Sequence, residues 1–263
     1  MTRNRNRLFI AIMMAWVAAS TDAATCTAES GTRRAALLEL YTSEGCNSCP
    51  PTDRWVSDLA ARGYTPTSVV TLAFHVDYWN DLGWPDPFSK AQYSERQRMA
   101  SIRNRGRVVY TPQLLLNGRD FRRGAVFDDF GKRLGELNRD PAKAKISLRA
   151  HARDQTRLGV TVTASVVDVA ARDGAQAYLV LYENNLSNQV TAGENSGKRL
   201  RHDFVVRELA GPFPVDSSGE ARLSRRFVLD PRWKTGDLQV AVFIQNERSG
   251  DVLQALAMPY CRN

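Results

Sequence analysis

Apolar positions in the first half of the chain come as short unbroken runs, with little alternation. Residues 35–41, Ala35-Ala36-Leu37-Leu38-Glu39-Leu40-Tyr41, and residues 69–74 read as strands covered on both faces. Between them Pro50-Pro51-Thr52-Asp53 opens a predicted helix over 50–62, with Trp55, Val56, Leu59 and Ala60 on one face. The result is a βαβ unit. A second helix is predicted over 89–104, and a third around 125–138 is ended by Asp140-Pro141. Asn117-Gly118 between the strand-like runs 108–116 and 119–121 is a hairpin signal.

After Lys145 the period changes to two. Ile146-Ser147-Leu148, Val160-Thr161-Val162 and Phe227-Val228-Leu229 alternate, and the runs at 177–182, 204–206, 240–244 and 252–253 bring the total to seven short strands. Gly, Asn and Asp turns separate them, which predicts an antiparallel β-sandwich over 143–263 behind an α/β domain over 25–142. No catalytic constellation lies in the second half. Its long loop, 183–203, carries Glu194, Asn195 and His202, polar groups suited to docking on the first domain.

Composition narrows the function classes. With 36 basic and 28 acidic side chains the formal charge is +8, but Lys and Arg are spread along the chain. The one cluster, Lys198-Arg199-Leu200-Arg201-His202, lacks interleaved aromatics, so it reads as a solvated loop and no nucleic-acid partner is expected. A hydrophobic content of 43% describes a globular chain. Arg3, Arg5 and Arg7, the apolar stretch 8–19 and Ala23-Ala24 form a cleavable secretory signal over 1–24, which predicts a periplasmic or secreted protein. The apolar stretch is short for a membrane span, no later one exists, and stable membrane insertion is not expected. A lipid anchor at Cys26 is the alternative, with Thr25 a poor fit before it. In an oxidising space Cys26 and Cys261 are expected to bridge the two ends of the chain, an intermolecular bridge being the alternative.

The densest chemistry is Cys46-Asn47-Ser48-Cys49, directly after the first predicted strand. Cysteines three apart meet across one turn, so a mixed disulfide on one is resolved by the other. A helix N-terminus favours the thiolate of the first, making Cys46 the nucleophile and Cys49 the resolver. An inert structural disulfide is the competing reading, and so is metal. Zinc would need four ligands from a set holding only two further cysteines and three scattered histidines, and Cu(I) would have to use the dithiol with His75. No dissociable cofactor is required. His75 and Asp77, two apart at the end of the next strand, are expected to point to one face near the carboxyl edge of the sheet, where α/β sites lie. Tyr78, Trp79, Trp84 and Phe88 crowd the following loop as a candidate apolar lip for a substrate.

Cys-x-x-Cys after a first strand, then Thr111-Pro112 before the apolar run 114–116 and the Asn-Gly hairpin, resembles the thioredoxin fold. The resemblance implies that Pro112 is cis and faces the dithiol, that Thr111 and Pro112 hold an incoming polypeptide strand, and that Glu39 manages the proton of the second thiol. More narrowly, residues 39–51, Phe74-His75-Val76-Asp77-Tyr78-Trp79, Leu82-Gly83-Trp84 and Tyr110-Thr111-Pro112-Gln113 resemble a secreted bacterial thioredoxin-like group, the domain of unknown function family 1223. Two departures from ordinary thioredoxins stand out. Pro50-Pro51 remove two N–H donors behind Cys49, and the Asn-Ser dipeptide leaves the direction of electron flow open. The expected function is a thiol–disulfide oxidoreductase acting on protein thiols or disulfides in the periplasm. The alternatives are a binding protein with its Cys46–Cys49 bridge permanently closed, or a Cu(I)-binding protein.

Overall fold

The computed structural model describes residues 25–261 apart from 122 and 155, so the expected signal segment lies outside the described residues. The first half contains β1 (Thr25–Glu29), β2 (Ala36–Thr42), α1 (Pro50–Ser57), β3 (Val69–His75), α2 (Ala91–Arg103), β4 (Gln113–Leu116), β5 (Arg119–Asp120) and α3 (Arg123–Arg139). β2 and β3 pair in parallel, and every residue of both is buried, as unbroken apolar runs require. β4 joins the other side of β2 antiparallel and turns into β5 through Asn117 (φ 52°) and Gly118 (φ 79°). That turn suits only residues tolerant of the left-handed region, and a Cβ on Gly118 would lie 1.9 Å from the carbonyl oxygen of Gly250.

Side chains of β2 divide between two cores. Ala36, Leu38 and Leu40 pack with Trp55, Val56 and Leu59 of the α1 region and with Phe130 and Leu134 of α3. Leu37 and Tyr41 pack on the other face with Tyr93 and Ala100 of α2. Helices therefore cover both faces. α1 is shorter than the predicted 50–62, giving way after Ser57 to turns that end at Gly63 (φ 87°). The run 108–110 is not a strand, because β4 begins only after the cis Thr111–Pro112 bond.

The second half holds β6 (Ala144–Asp154), β7 (Arg157–Val166), β8 (Ala175–Glu183), β9 (Leu186–Gln189), β10 (Arg199–His202), β11 (Val205–Pro214), β12 (Glu220–Val228), β13 (Leu238–Asn246) and β14 (Val252–Pro259). These exceed the seven predicted, because β9 and β10 are short polar strands without an apolar signature. One sheet runs β1-β6-β7-β12. A second runs β14-β13-β8-β11-β3-β2-β4-β5 and crosses residues 142–143, so both halves share it. The join is narrow: Val205 of β11 registers with Ala73 of β3, and the Ala73 N–H donates to the Phe204 carbonyl at 2.8 Å.

The register Ala73–Val205–Glu183–Leu238 shows that one face of the long sheet meets α1 and α3 at one end and the four-stranded sheet at the other. The architecture is α/β and strand-rich, with mixed and antiparallel sheets. Cys26 on β1 and Cys261 after β14 are joined by a disulfide, tying the ends of the described chain together.

Candidate functional site

β2 and β3 end side by side at Thr42 and His75, and the chain leaving β2 passes through Ser43–Gly45 into the cysteines. Cys46 and Cys49 form a disulfide, with Cys49 as N-cap of α1 and prolines at the first two helical positions. Both are enclosed, Cys46 at 1% and Cys49 at 0% exposure. The Ser48 hydroxyl lies 3.3 Å from Cys46 Sγ.

Part of the enclosure comes from the second half. The buried Asn195 amide donates to the carbonyls of Glu44 (2.8 Å) and Cys46 (2.9 Å). Glu194 accepts from the Asn47 N–H at 3.1 Å. Glu194 and Asn195 thus occupy the backbone groups flanking the first cysteine, and the loop docks as its polar residues suggested. β10 runs alongside α1 and carries His202, which is buried. The expectation of a solvated loop at 198–202 is therefore corrected: β10 alternates exposed Arg199 and Arg201 with buried Leu200 and His202.

Behind the cysteines lies a buried charged cluster. Glu44 Oε1 is 3.1 Å from His202 Nε2, while Glu44 Oε2 accepts from Trp84 Nε1 (2.9 Å) and Asn188 Nδ2 (3.0 Å). The Glu44 N–H donates to Asp86, whose Oδ2 is also 2.6 Å from His75 Nδ1. Asp53, on α1, faces His202 Nδ1 at 3.9 Å. The two imidazoles meet edge to face at 4.9 Å, and Phe88 packs on both. His75 Nε2 and His202 Nδ1 are buried without a hydrogen bond.

Burial pushes the Asp53 carboxyl above its ordinary range, against the pull of His202 and His75. Burial opposes the charged form of His202 as well, yet the hydrogen bond to Glu44 and the nearby carboxylates raise it above an ordinary histidine. Asp86 is also desolvated, but the charge and hydrogen bond of His75 hold it below the usual carboxylate range.

Of the residues read from the sequence, His75, Trp79, Trp84, Thr111 and Pro112 gather around this end of the sheet. Trp84 binds Glu44, and Trp79 lies against Gly45, where an added Cβ would meet Trp79 Cβ at 3.0 Å. Trp79 Nε1 donates to Thr111 Oγ1 at 2.8 Å, tying the aromatic loop to the cis-proline loop.

Glu39 is not brought to the dithiol. Its side chain points to the α2 face, where Arg96 Nε donates to it at 2.7 Å and the Tyr41 hydroxyl at 3.1 Å. α1 packs on the opposite face, so the proton role carried over by resemblance does not fall on Glu39. Asp77 also parts from His75, because β3 stops at His75; Asp77 exchanges hydrogen bonds with Ser94 on α2 instead.

Glu44, Asp53 and Asp86 escaped the sequence reading. Glu44, two before Cys46, and Asp53, four after Cys49, were visible by spacing, whereas nothing local marks Asp86. Among the described residues no group of three or more His, Cys, Asp and Glu side chains is arranged to hold a metal ion. No helix among them is long and apolar enough to cross a membrane.

The family model described as "Protein of unknown function (DUF1223)" matches residues 37–245. A crystal structure of a protein from Agrobacterium tumefaciens is similar with a TM-score of 0.60 and 24% identity, covering 87% of this chain and 95% of that one. HBP35 of Porphyromonas gingivalis is similar with a TM-score of 0.66 and 16% identity, over 88% and 76% of the two chains. At these identities the likeness concerns the fold alone. No curated protein matches the chain.

Proposed function

The chain belongs to the DUF1223 family, and from that footing we propose that it is an extracytoplasmic thiol–disulfide oxidoreductase acting on protein cysteines. The observation that carries this reading is the Cys46–Cys49 disulfide at the start of α1, at the carboxyl ends of two parallel strands. Residues 25–142 act as a thioredoxin-like unit in this reading, and 143–263 as a β-sandwich that covers and selects. Two disulfides among the described residues suit an oxidising compartment, in keeping with a cleaved signal over 1–24. Cys46 attacks the partner and Cys49 resolves the mixed disulfide, while Thr111 and cis Pro112, linked to the site through Trp79, hold the partner's strand. Access to Cys46 requires that residues 193–195 lift away.

The near-complete burial of both cysteines favours a second reading, a binding protein whose bridge stays closed. Equilibration in graded thiol buffers, followed by mass spectrometry with a Cys46→Ser control, separates the two. Opening between about −270 and −120 mV with transfer to protein thiols supports the oxidoreductase. A bridge still closed below about −300 mV would leave only the binding protein.

A further inference from the structure

Which way electrons run through Cys46 and Cys49, given the oxidoreductase reading above, depends on how well the protein holds the Cys46 thiolate. A dithiol whose thiolate is well stabilised is a strong oxidant, because its reduced form is favoured; one whose thiolate lacks support is a reductant.

Donors are scarce at this helix start. Pro50 and Pro51 carry no N–H, and the N–H groups of Thr52 and Asp53 both go to the Cys49 carbonyl, at 2.9 and 3.1 Å. The Cys49 N–H is taken by the Cys46 carbonyl (3.2 Å), the Cys46 N–H by the Ser43 carbonyl (3.1 Å) and the Asn47 N–H by Glu194 (3.1 Å). Among the described residues Cys46 Sγ has one hydrogen-bonding partner, the Ser48 hydroxyl.

Acidic side chains, by contrast, flank the pair. Glu44 lies two residues before Cys46, and Glu194 accepts from the Asn47 N–H. The basic groups nearby are engaged: His202 lies against Glu44, His75 against Asp86, and Lys198 Nζ donates to Asn195 Oδ1 at 2.9 Å. At 1% exposure, Cys46 is also denied the water that would solvate a thiolate.

We propose that Cys46 and Cys49 form an electron-donating dithiol that reduces disulfides in partner proteins, with Glu44, two residues before it, holding Cys46 in its thiol form. Cys46, on losing its proton, attacks one sulfur of the partner's disulfide; that S–S bond breaks and the other partner sulfur leaves as thiolate. Cys49 then loses its proton and attacks Cys46 Sγ, closing the Cys46–Cys49 bond and releasing the second partner thiolate. The partner gains two electrons and the dithiol is oxidised. A donor dithiol protein restores it by the same exchange in reverse.

The test reads the acidity of Cys46. A Cys49→Ser variant leaves Cys46 as a lone thiol with the Cys26–Cys261 bridge intact, and thiolate absorbance is followed against pH. The expected midpoint lies at or above the ordinary thiol value of about 8.5. Adding Glu44→Gln lowers it by about one unit, giving about tenfold more thiolate at neutral pH. Adding Ser48→Ala, at an exposed position that spares the fold, raises it. In the two-cysteine protein Glu44→Gln shifts the equilibrium with glutathione toward the dithiol, by up to about tenfold at a pH above the wild-type Cys46 midpoint and only slightly at neutral pH. A Cys46 midpoint below about 7, or one indifferent to both substitutions, overturns the proposal while protein thiol exchange still stands. Failure of the wild-type protein to exchange with any protein thiol removes the oxidoreductase reading, and this proposal with it.

Discussion

Arg96 and Glu39 meet at 2.7 Å, Nε to Oε1, on the face of the long sheet turned away from the cysteines. The guanidinium also lies over the rings of Tyr178 (5.0 Å) and Phe243 (4.9 Å), and its Nη2 donates to Gln245, so the pair joins α2 to strands of the second half. The acid inside the first apolar run thus holds the two halves together.

Removing one member of such a buried pair strands the other. Glu39→Leu is expected to lower stability by about 3–5 kcal/mol in chemical denaturation. At temperatures where both proteins are folded, the rate at which the Cys46–Cys49 bridge is reduced should be the same. A selective loss of exchange would return Glu39 to the site.

Asn195 closes the site with two hydrogen bonds to carbonyls beside Cys46. Asn195→Ala leaves those buried acceptors without their donor, at a cost of about 1–3 kcal/mol. Reduction of the bridge by a small phosphine, timed by mass spectrometry, should become about tenfold faster, as a local opening made about 1.4 kcal/mol easier requires. An unchanged rate would mean that the bridge is reached by another route.

The raised pKa of His202 ties stability to pH in a definite sense. A group whose folded value exceeds the unfolded value of about 6.5 contributes fully below 6.5, and that contribution fades as pH rises through the folded value. The stability gap between the wild type and His202→Gln should therefore be widest near pH 6 and narrower by pH 9, read by urea unfolding. A gap that widens with pH would contradict the pairing with Glu44.

The Cys26–Cys261 bridge closes a loop of sequence separation 235. Replacing both cysteines by alanine should cost on the order of 5 kcal/mol in the chain-entropy view and leave the reduction of Cys46–Cys49 unaffected. Calorimetry on the double variant measures the first, thiol titration of the reduced protein the second.

Local physics made much of this molecule readable in one dimension. The runs at 35–41 and 69–74 read as strands buried on both faces, Asn117-Gly118 reads as a hairpin turn, and the spacing of Cys46 and Cys49 places their sulfurs within reach of each other. Cys26 and Cys261 follow from the same reasoning once the thiols are expected to pair. Each of these depends on neighbours in the chain or on the count of cysteines.

Tertiary structure alone decided which face each polar residue serves and what closes the site. Glu39 and Asp53 are both acids near the cysteines in sequence, yet the pleat of β2 turns the first to Arg96 and the turn of α1 sets the second against His202. Asp86, Asn195 and His202 reach Glu44 from 42, 151 and 158 residues away, through hydrogen bonds with no periodic signature. Pattern reports which positions are buried; which buried polar groups satisfy one another is settled only when distant segments meet, because each must find a partner once water is excluded.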